Sequence, residues 1–111
     1  MGDWEDNIKL SVKAVEFSSA GDSVTIKTGG SSWCLGGISV DSNYYYYDFP
    51  DVNRQAVSYS LKKDCFDIQH RDNHTLFIKV QANPFSVKRI ITVDLSAGDY
   101  FDSVTITQKS K

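Results

Sequence analysis

The chain is poor in the features that announce several large protein classes. Only three of its 12 basic residues are arginine, they lie far apart, and 14 acidic residues bring the net charge to −2. Nucleic-acid binding asks for a basic stripe with arginine to read bases, so no nucleic-acid partner is expected. Apolar runs are a handful of residues long, too short to cross a bilayer, and no membrane-spanning segment is expected. No window of a dozen residues carries a capped apolar stripe of helical period. The pairs Gly29-Gly30 and Gly36-Gly37 are not followed by a helix pattern, so neither reads as a phosphate-cradling loop.

Catalytic chemistry is equally scarce. No serine or cysteine sits in a nucleophile elbow or a Cys–His signature, and a domain of this size has little room for both a core and a deep cleft. The expectation is a protein that is not an enzyme and carries no cofactor. Cys34 and Cys65 offer one bridge or two unpaired thiols; each adjoins a large aromatic, Trp33 or Phe66. His70 and His74, with Asp67 and Asp72 nearby, read as a polar hairpin tip rather than a metal site. Asp41, Asn43, Asp48 and Asp51 carry oxygen ligands of the kind calcium takes. Their spacing does not match an EF-hand loop, so solvated loop carboxylates are the default.

What is present is alternation. At 111 residues the chain has an ordinary one-domain length, with 41% apolar and 23% charged residues, values of a globular protein. Residues 22–28 alternate polar and β-branched positions. Residues 56–62 place Val57, Tyr59 and Leu61 on one face, and residues 75–81 place Leu76, Ile78 and Val80 together. Residues 89–97 do the same with Ile91, Val93, Leu95 and Ala97, and residues 101–108 with Val104 and Ile106. Segments 10–17, 33–40 and 65–70 read as further strands. Clusters of Gly, Asn, Asp and Ser separate these runs and supply turns. Seven or eight short strands at this spacing predict an all-β sandwich. One domain is expected over residues 8–109, with residues 1–7 a polar leader that includes Trp4 and a polar tail at the other end. The leader does not read as a signal peptide.

The C-terminal half carries a resemblance. Asn83 stands six residues before Arg89, which opens a strand, and the last strand closes on Val104-Thr105-Ile106-Thr107-Gln108. Upstream, residues 21–28 are followed by Ser32-Trp33. In these features the chain resembles the BACON domain, the Bacteroidetes-associated, carbohydrate-binding, often N-terminal module. It departs from the pattern between Trp33 and Cys65, where a tyrosine-rich insert appears. The resemblance implies an immunoglobulin-like β-sandwich of antiparallel strands in an exported protein of the periplasm or cell surface, whose precursor could carry a lipid anchor. It implies sugar binding only weakly. The marker residues have structural readings: Asn83 suits a turn, Arg89 suits turn carbonyls through its fork, and Gln108 suits backbone groups at the sandwich end.

The sharpest single feature is Tyr44-Tyr45-Tyr46-Tyr47, followed by Asp48 and Phe49. A tyrosine ring offers a flat apolar face and a hydroxyl tip, which suits sugars and protein interfaces alike; it also simply suits a strand. Tyr44, Tyr45, Tyr46, Tyr47 and Phe49, with Asp48 accepting hydrogen bonds, form the expected ligand platform. The ligand would be a glycan or a protein partner, and the alternative role is a structural spacer or adhesion-type contact domain.

Overall fold

The computed structural model describes residues 6–111. Two β-sheets pack face to face, so the all-β sandwich predicted from alternation is the one found. In chain order the strands are β1 (Ala14–Phe17), β2 (Asp22–Lys27), β3 (Cys34–Val40), β4 (Asn43–Tyr45), β5 (Tyr59–Lys63), β6 (Phe66–Asp72), β7 (Thr75–Val80), β8 (Arg89–Ala97) and β9 (Tyr100–Gln108). One sheet runs β1-β9-β8-β3-β4 and the other β2-β7-β6-β5.

Three details differ from the sequence reading. Nine strands form among the described residues, because the tyrosine run supplies the short edge strand β4. Not every pair is antiparallel: β1 lies parallel to β9, with Ala14 opposite Thr105 and Phe17 opposite Gln108. The strand expected over residues 56–62 begins only at Tyr59, and Val57 is 58% exposed instead of sharing a face with Tyr59 and Leu61.

The period of two does the packing. Ile91, Val93, Leu95 and Ala97 on β8 and Val104 and Ile106 on β9 point into the sandwich, where they meet Ile26, Leu61, Ile68, Leu76 and Ile78 from the other sheet. Each fully buried branched chain contributes about 1.5–3 kcal/mol over its exposed state. Trp33 closes one end of this core, its indole N–H donating to Thr28 Oγ1 at 2.9 Å and the Asn73 carbonyl at 2.8 Å. His70 is also core and not part of an exposed hairpin tip: its ring is stacked on Tyr59 and tilted on Trp33, with centroids 4.9 and 4.2 Å away. The start of the described chain is tied in as well. Asp6 Oδ1 accepts the N–H groups of Ile8 and Lys9, Gly30 N–H donates to the Ile8 carbonyl at 2.9 Å, and Ile8 is wholly buried. Residues 1–5, including Trp4, lie outside the described residues.

The residues singled out at the C-terminal half meet at one end of the sandwich. Arg89 donates to the Gln81 and Ala82 carbonyls at 3.0 and 3.2 Å and to Gln108 Oε1. Gln108 Nε2 in turn donates to the Ser18 and Gln81 carbonyls. Buried Asn83 donates to the Val87 and Lys109 carbonyls. Their structural reading holds. The two cysteines are unbridged: Cys34 is on β3, Cys65 in the turn before β6 of the other sheet, and each remains a free thiol.

Candidate ligand-binding groove

The outward positions of β3, β8 and β9 alternate with the core positions and build the floor of a groove. Register brings Cys34 opposite Ser96, Ser96 opposite Phe101, and Asp94 opposite Ser103, one row beside the next. Between Leu35 and Ile38 the β3 register slips at a bulge that contains Gly36 and Gly37. Neither glycine carries a side chain over the floor, and the hollow there has a volume of about 710 Å³. That lies in the range of roughly 300–1,000 Å³ usual for small-ligand sites.

Pairing of β4 with β3 sorts the tyrosines. Tyr45 is opposite inward-facing Ile38, and its ring packs edge-on against Phe66 with centroids 5.5 Å apart. Its hydroxyl donates to Asp64 at 2.8 Å, and that bond leads the influences that push its pKa up. Tyr44 is opposite outward-facing Ser39 and is 61% exposed, lying across the bulge at Gly37. Tyr46 lies beside the same groove, its ring under the Arg54 guanidinium with the carbon 4.7 Å from the centroid. Arg54 holds this wall in place, donating to the Leu35 and Gly36 carbonyls and to the Tyr46 carbonyl, each at 2.9 Å.

Of the six expected platform residues, then, Tyr44 and Tyr46 line the groove. Tyr47 and Asp48 are exposed on the loop beyond it. Tyr45 is half-buried and engaged with Phe66 and Asp64. Phe49 needs correction: it is only 9% exposed and packs on Phe66 with centroids 6.2 Å apart, so its faces are closed to a ligand. Asp41, weighed as a calcium ligand, adopts φ +54 and accepts the Ile90 N–H at 2.9 Å, the work of a turn residue.

Residues outside the tyrosine run complete the groove. Phe101, 73% exposed on β9, supplies the opposite aromatic wall. Asp94 stands on the floor beside Gly36, and burial pushes its carboxyl above the ordinary value. Cys34 Sγ and Ser96 Oγ are 3.5 Å apart in the adjoining row. Asp102 at the margin pairs with Lys13 at 2.8 Å. The one signal in the sequence for Asp94 and Ser96 was their place at outward positions of an alternating strand, and nothing there showed which strands would be neighbours.

The groove can therefore do two things. Tyr44 and Phe101 offer flat apolar faces, Tyr46 stands beside Tyr44 capped by Arg54 and packed edge-on against Tyr47 with centroids 4.9 Å apart, and Asp94, Ser96 and Ser103 offer hydrogen-bonding groups between the walls. Among the described residues no group of three or more His, Cys, Asp or Glu side chains gathers to hold a metal ion.

No protein-family model matches the chain, and no curated protein matches it. Solved structures do. A protein from Bacteroides thetaiotaomicron, solved by NMR, aligns over 96% of this chain and 90% of its own with TM-score 0.73 and 17% identity. A GH5 xyloglucanase from Bacteroides ovatus, in complex with a XXXG heptasaccharide, aligns over 93% of this chain at TM-score 0.54 and 20% identity. This chain spans only 19% of the xyloglucanase. These likenesses establish the fold.

Proposed function

We propose that the chain is a non-catalytic, BACON-type binding module of an exported protein, and that its groove holds a short stretch of glycan. The observation that carries this reading is the pairing of exposed aromatic walls, Tyr44 and Tyr46 on one side and Phe101 on the other, over a polar floor of Asp94, Ser96 and Ser103. Sugars present C–H faces that stack on rings and hydroxyls that need partners, and one surface supplies both. Exposed aromatic area of this extent is uncommon on a small domain that has no use for it. The Asn83, Arg89 and Gln108 pattern and a sandwich likeness to two Bacteroides structures support the BACON-type part of this reading, and export is proposed from the family resemblance alone.

The test is affinity electrophoresis against a panel of plant and host polysaccharides. Tyr44→Ala and Phe101→Ala are expected to weaken retention by about five- to tenfold, since aromatic contacts of this kind carry roughly 1 kcal/mol each. Phe85→Ala, at a residue 63% exposed on the loop between β7 and β8 and away from the groove, serves as the control and leaves retention unchanged. No retention on any glycan, or equal loss in the control, overturns the reading. A spacer or protein-contact domain without glycan affinity is the second reading. It draws on one observation: the similar sandwich makes up a small part of the much longer xyloglucanase chain.

A further inference from the structure

Granting the glycan-binding role of the groove, we infer that it takes neutral, hydroxyl-rich glycans and turns away anionic ones, with Asp94 the residue that sets this preference. Four charged groups lie in or at the edge of the groove: Asp94, Asp102, Arg54 and Lys13.

Three of them are already engaged. Asp102 is paired with Lys13 at 2.8 Å. Arg54 has both terminal nitrogens on backbone carbonyls of Leu35, Gly36 and Tyr46, and its face is turned to the Tyr46 ring. Three of its five N–H groups are used in this way, so Arg54 serves as a clamp for the wall, and its charge stands on that wall rather than on the floor beside Asp94. The fourth group is different. Among the described residues Asp94 has neither a hydrogen bond nor an ion pair, and burial alone accounts for the upward displacement of its pKa.

An unpaired carboxylate beneath aromatic walls is an acceptor waiting for donors. Its two oxygens can take two hydroxyl protons, as a vicinal diol supplies them. Hydrogen bonds to a charged group are about twice as strong as neutral ones. A uronate or sulfate placed in the same position brings like charge into a half-desolvated hollow, where repulsion is screened poorly. The floor opposite Asp94 is Ser103 and the bulge at Gly36, neither of which carries a charge; the one cation on the lining among the described residues, Arg54, bonds the Gly36 carbonyl from the wall.

The experiment compares neutral with anionic polymers: hydroxyethyl cellulose with carboxymethyl cellulose, which share a backbone and carry an uncharged or a charged substituent, and a broader panel of galactomannan, xyloglucan and mixed-linkage glucan with polygalacturonate, alginate and chondroitin sulfate. The wild type is expected to bind at least one neutral polymer, and that polymer's carboxymethylated form about tenfold more weakly. Asp94→Asn keeps the shape and one acceptor oxygen and removes the charge, so it is expected to narrow the gap at least about threefold while circular dichroism stays unchanged. Equal or tighter binding of the anionic polymers, or a gap that Asp94→Asn leaves intact, overturns this inference and leaves the glycan reading standing. Binding to no polymer of either kind removes the glycan reading, and this preference with it.

Discussion

The Tyr44 ring lies directly over Gly37, so close that a Cβ at that position would fall inside the phenol. The edge strand β4 brings the ring there from one side and the β3 bulge clears space for it from the other. The obstacle to a side chain at Gly37 is therefore the far end of an exposed ring, which can swing away. The ring's resting place is what depends on the glycine.

Gly37→Ala should leave the domain folded and displace Tyr44 from the groove wall. We expect a loss in Tm of no more than about 4–8 °C, the equivalent of roughly 1 kcal/mol in a domain of this size, with glycan retention falling as far as in Tyr44→Ala. Gly30→Ala should behave in the opposite way. A Cβ there meets the backbone carbonyl of Asn7, which cannot swing aside, so destabilisation should come without any direct effect on the groove. A thermal melt of each variant beside a binding assay separates the two behaviours.

His70→Phe tests what fastens the loop before β5. The imidazole Nδ1 lies 2.7 Å from the Val57 carbonyl and Nε2 3.2 Å from the Trp33 carbonyl. Phenylalanine preserves the ring between Tyr59 and Trp33 and leaves both carbonyls without that contact. A loss of about 1–3 kcal/mol in urea unfolding is expected, with little change in m-value. A neutral outcome would mean that ring packing alone holds the loop.

Asp94 should make stability depend on pH in an uncommon direction. Burial raises its carboxyl above the ordinary 3.8 in the folded chain, so the native state holds that proton more readily than the unfolded one. At pH below both values the group is neutral in either state and exerts no penalty. As pH rises through the folded value the charged form must sit half-desolvated, and stability falls. Asp94→Asn should therefore raise Tm near pH 7, on the order of 1–2 °C after allowance for solvent screening, and the advantage should shrink as pH approaches 3.8. Parallel melts of both proteins between pH 3.5 and 7 (an interval set by the roughly 3.9 of a free Asp) would check it. An advantage that grows on acidification would contradict the assignment.

Arg89→Lys tests the cluster at the other end. Lysine keeps the charge but cannot reach the Gln81 and Ala82 carbonyls and Gln108 Oε1 from one planar fork. A cost of about 1–2 kcal/mol is expected from denaturant titration, because buried Gln108 loses its partner. Recovery of full stability by lysine would show that charge, rather than the fork, is what matters.

How far these features could be read from residues alone follows from their periodicity. Strand β8 stands out because apolar residues recur at every second position from Ile91 to Ala97, and β9 shows the same period more briefly at Val104 and Ile106. The tyrosine run defeats the same reasoning, since four identical side chains carry no alternation. Only pairing with Ser39 and Ile38 decides that Tyr44 faces out and Tyr45 in. Val57 continued the alternation of Tyr59 and Leu61, yet its carbonyl is held by His70 and its side chain turns outward. Phe101 and Asp94 are not legible as groove residues in the sequence, because their meeting depends on cross-strand register, a long-range property that neighbouring residues do not encode. Arg54 is equally hidden, because it lies on the loop between β4 and β5 and reaches the groove only by folding back onto the Leu35 and Gly36 carbonyls.

The parallel pairing of β1 with β9 also decides how the domain would carry a load. Ala14 lies beside Thr105 at one end and Phe17 beside Gln108 at the other, so the polypeptide arrives at one pole of the sandwich and departs from the opposite pole. A pull applied between those poles runs along both strands, across the direction of the hydrogen bonds that join them. The bonds then share the force and must yield together rather than unzip in succession, which gives a link in a tethered chain its resistance to stretching.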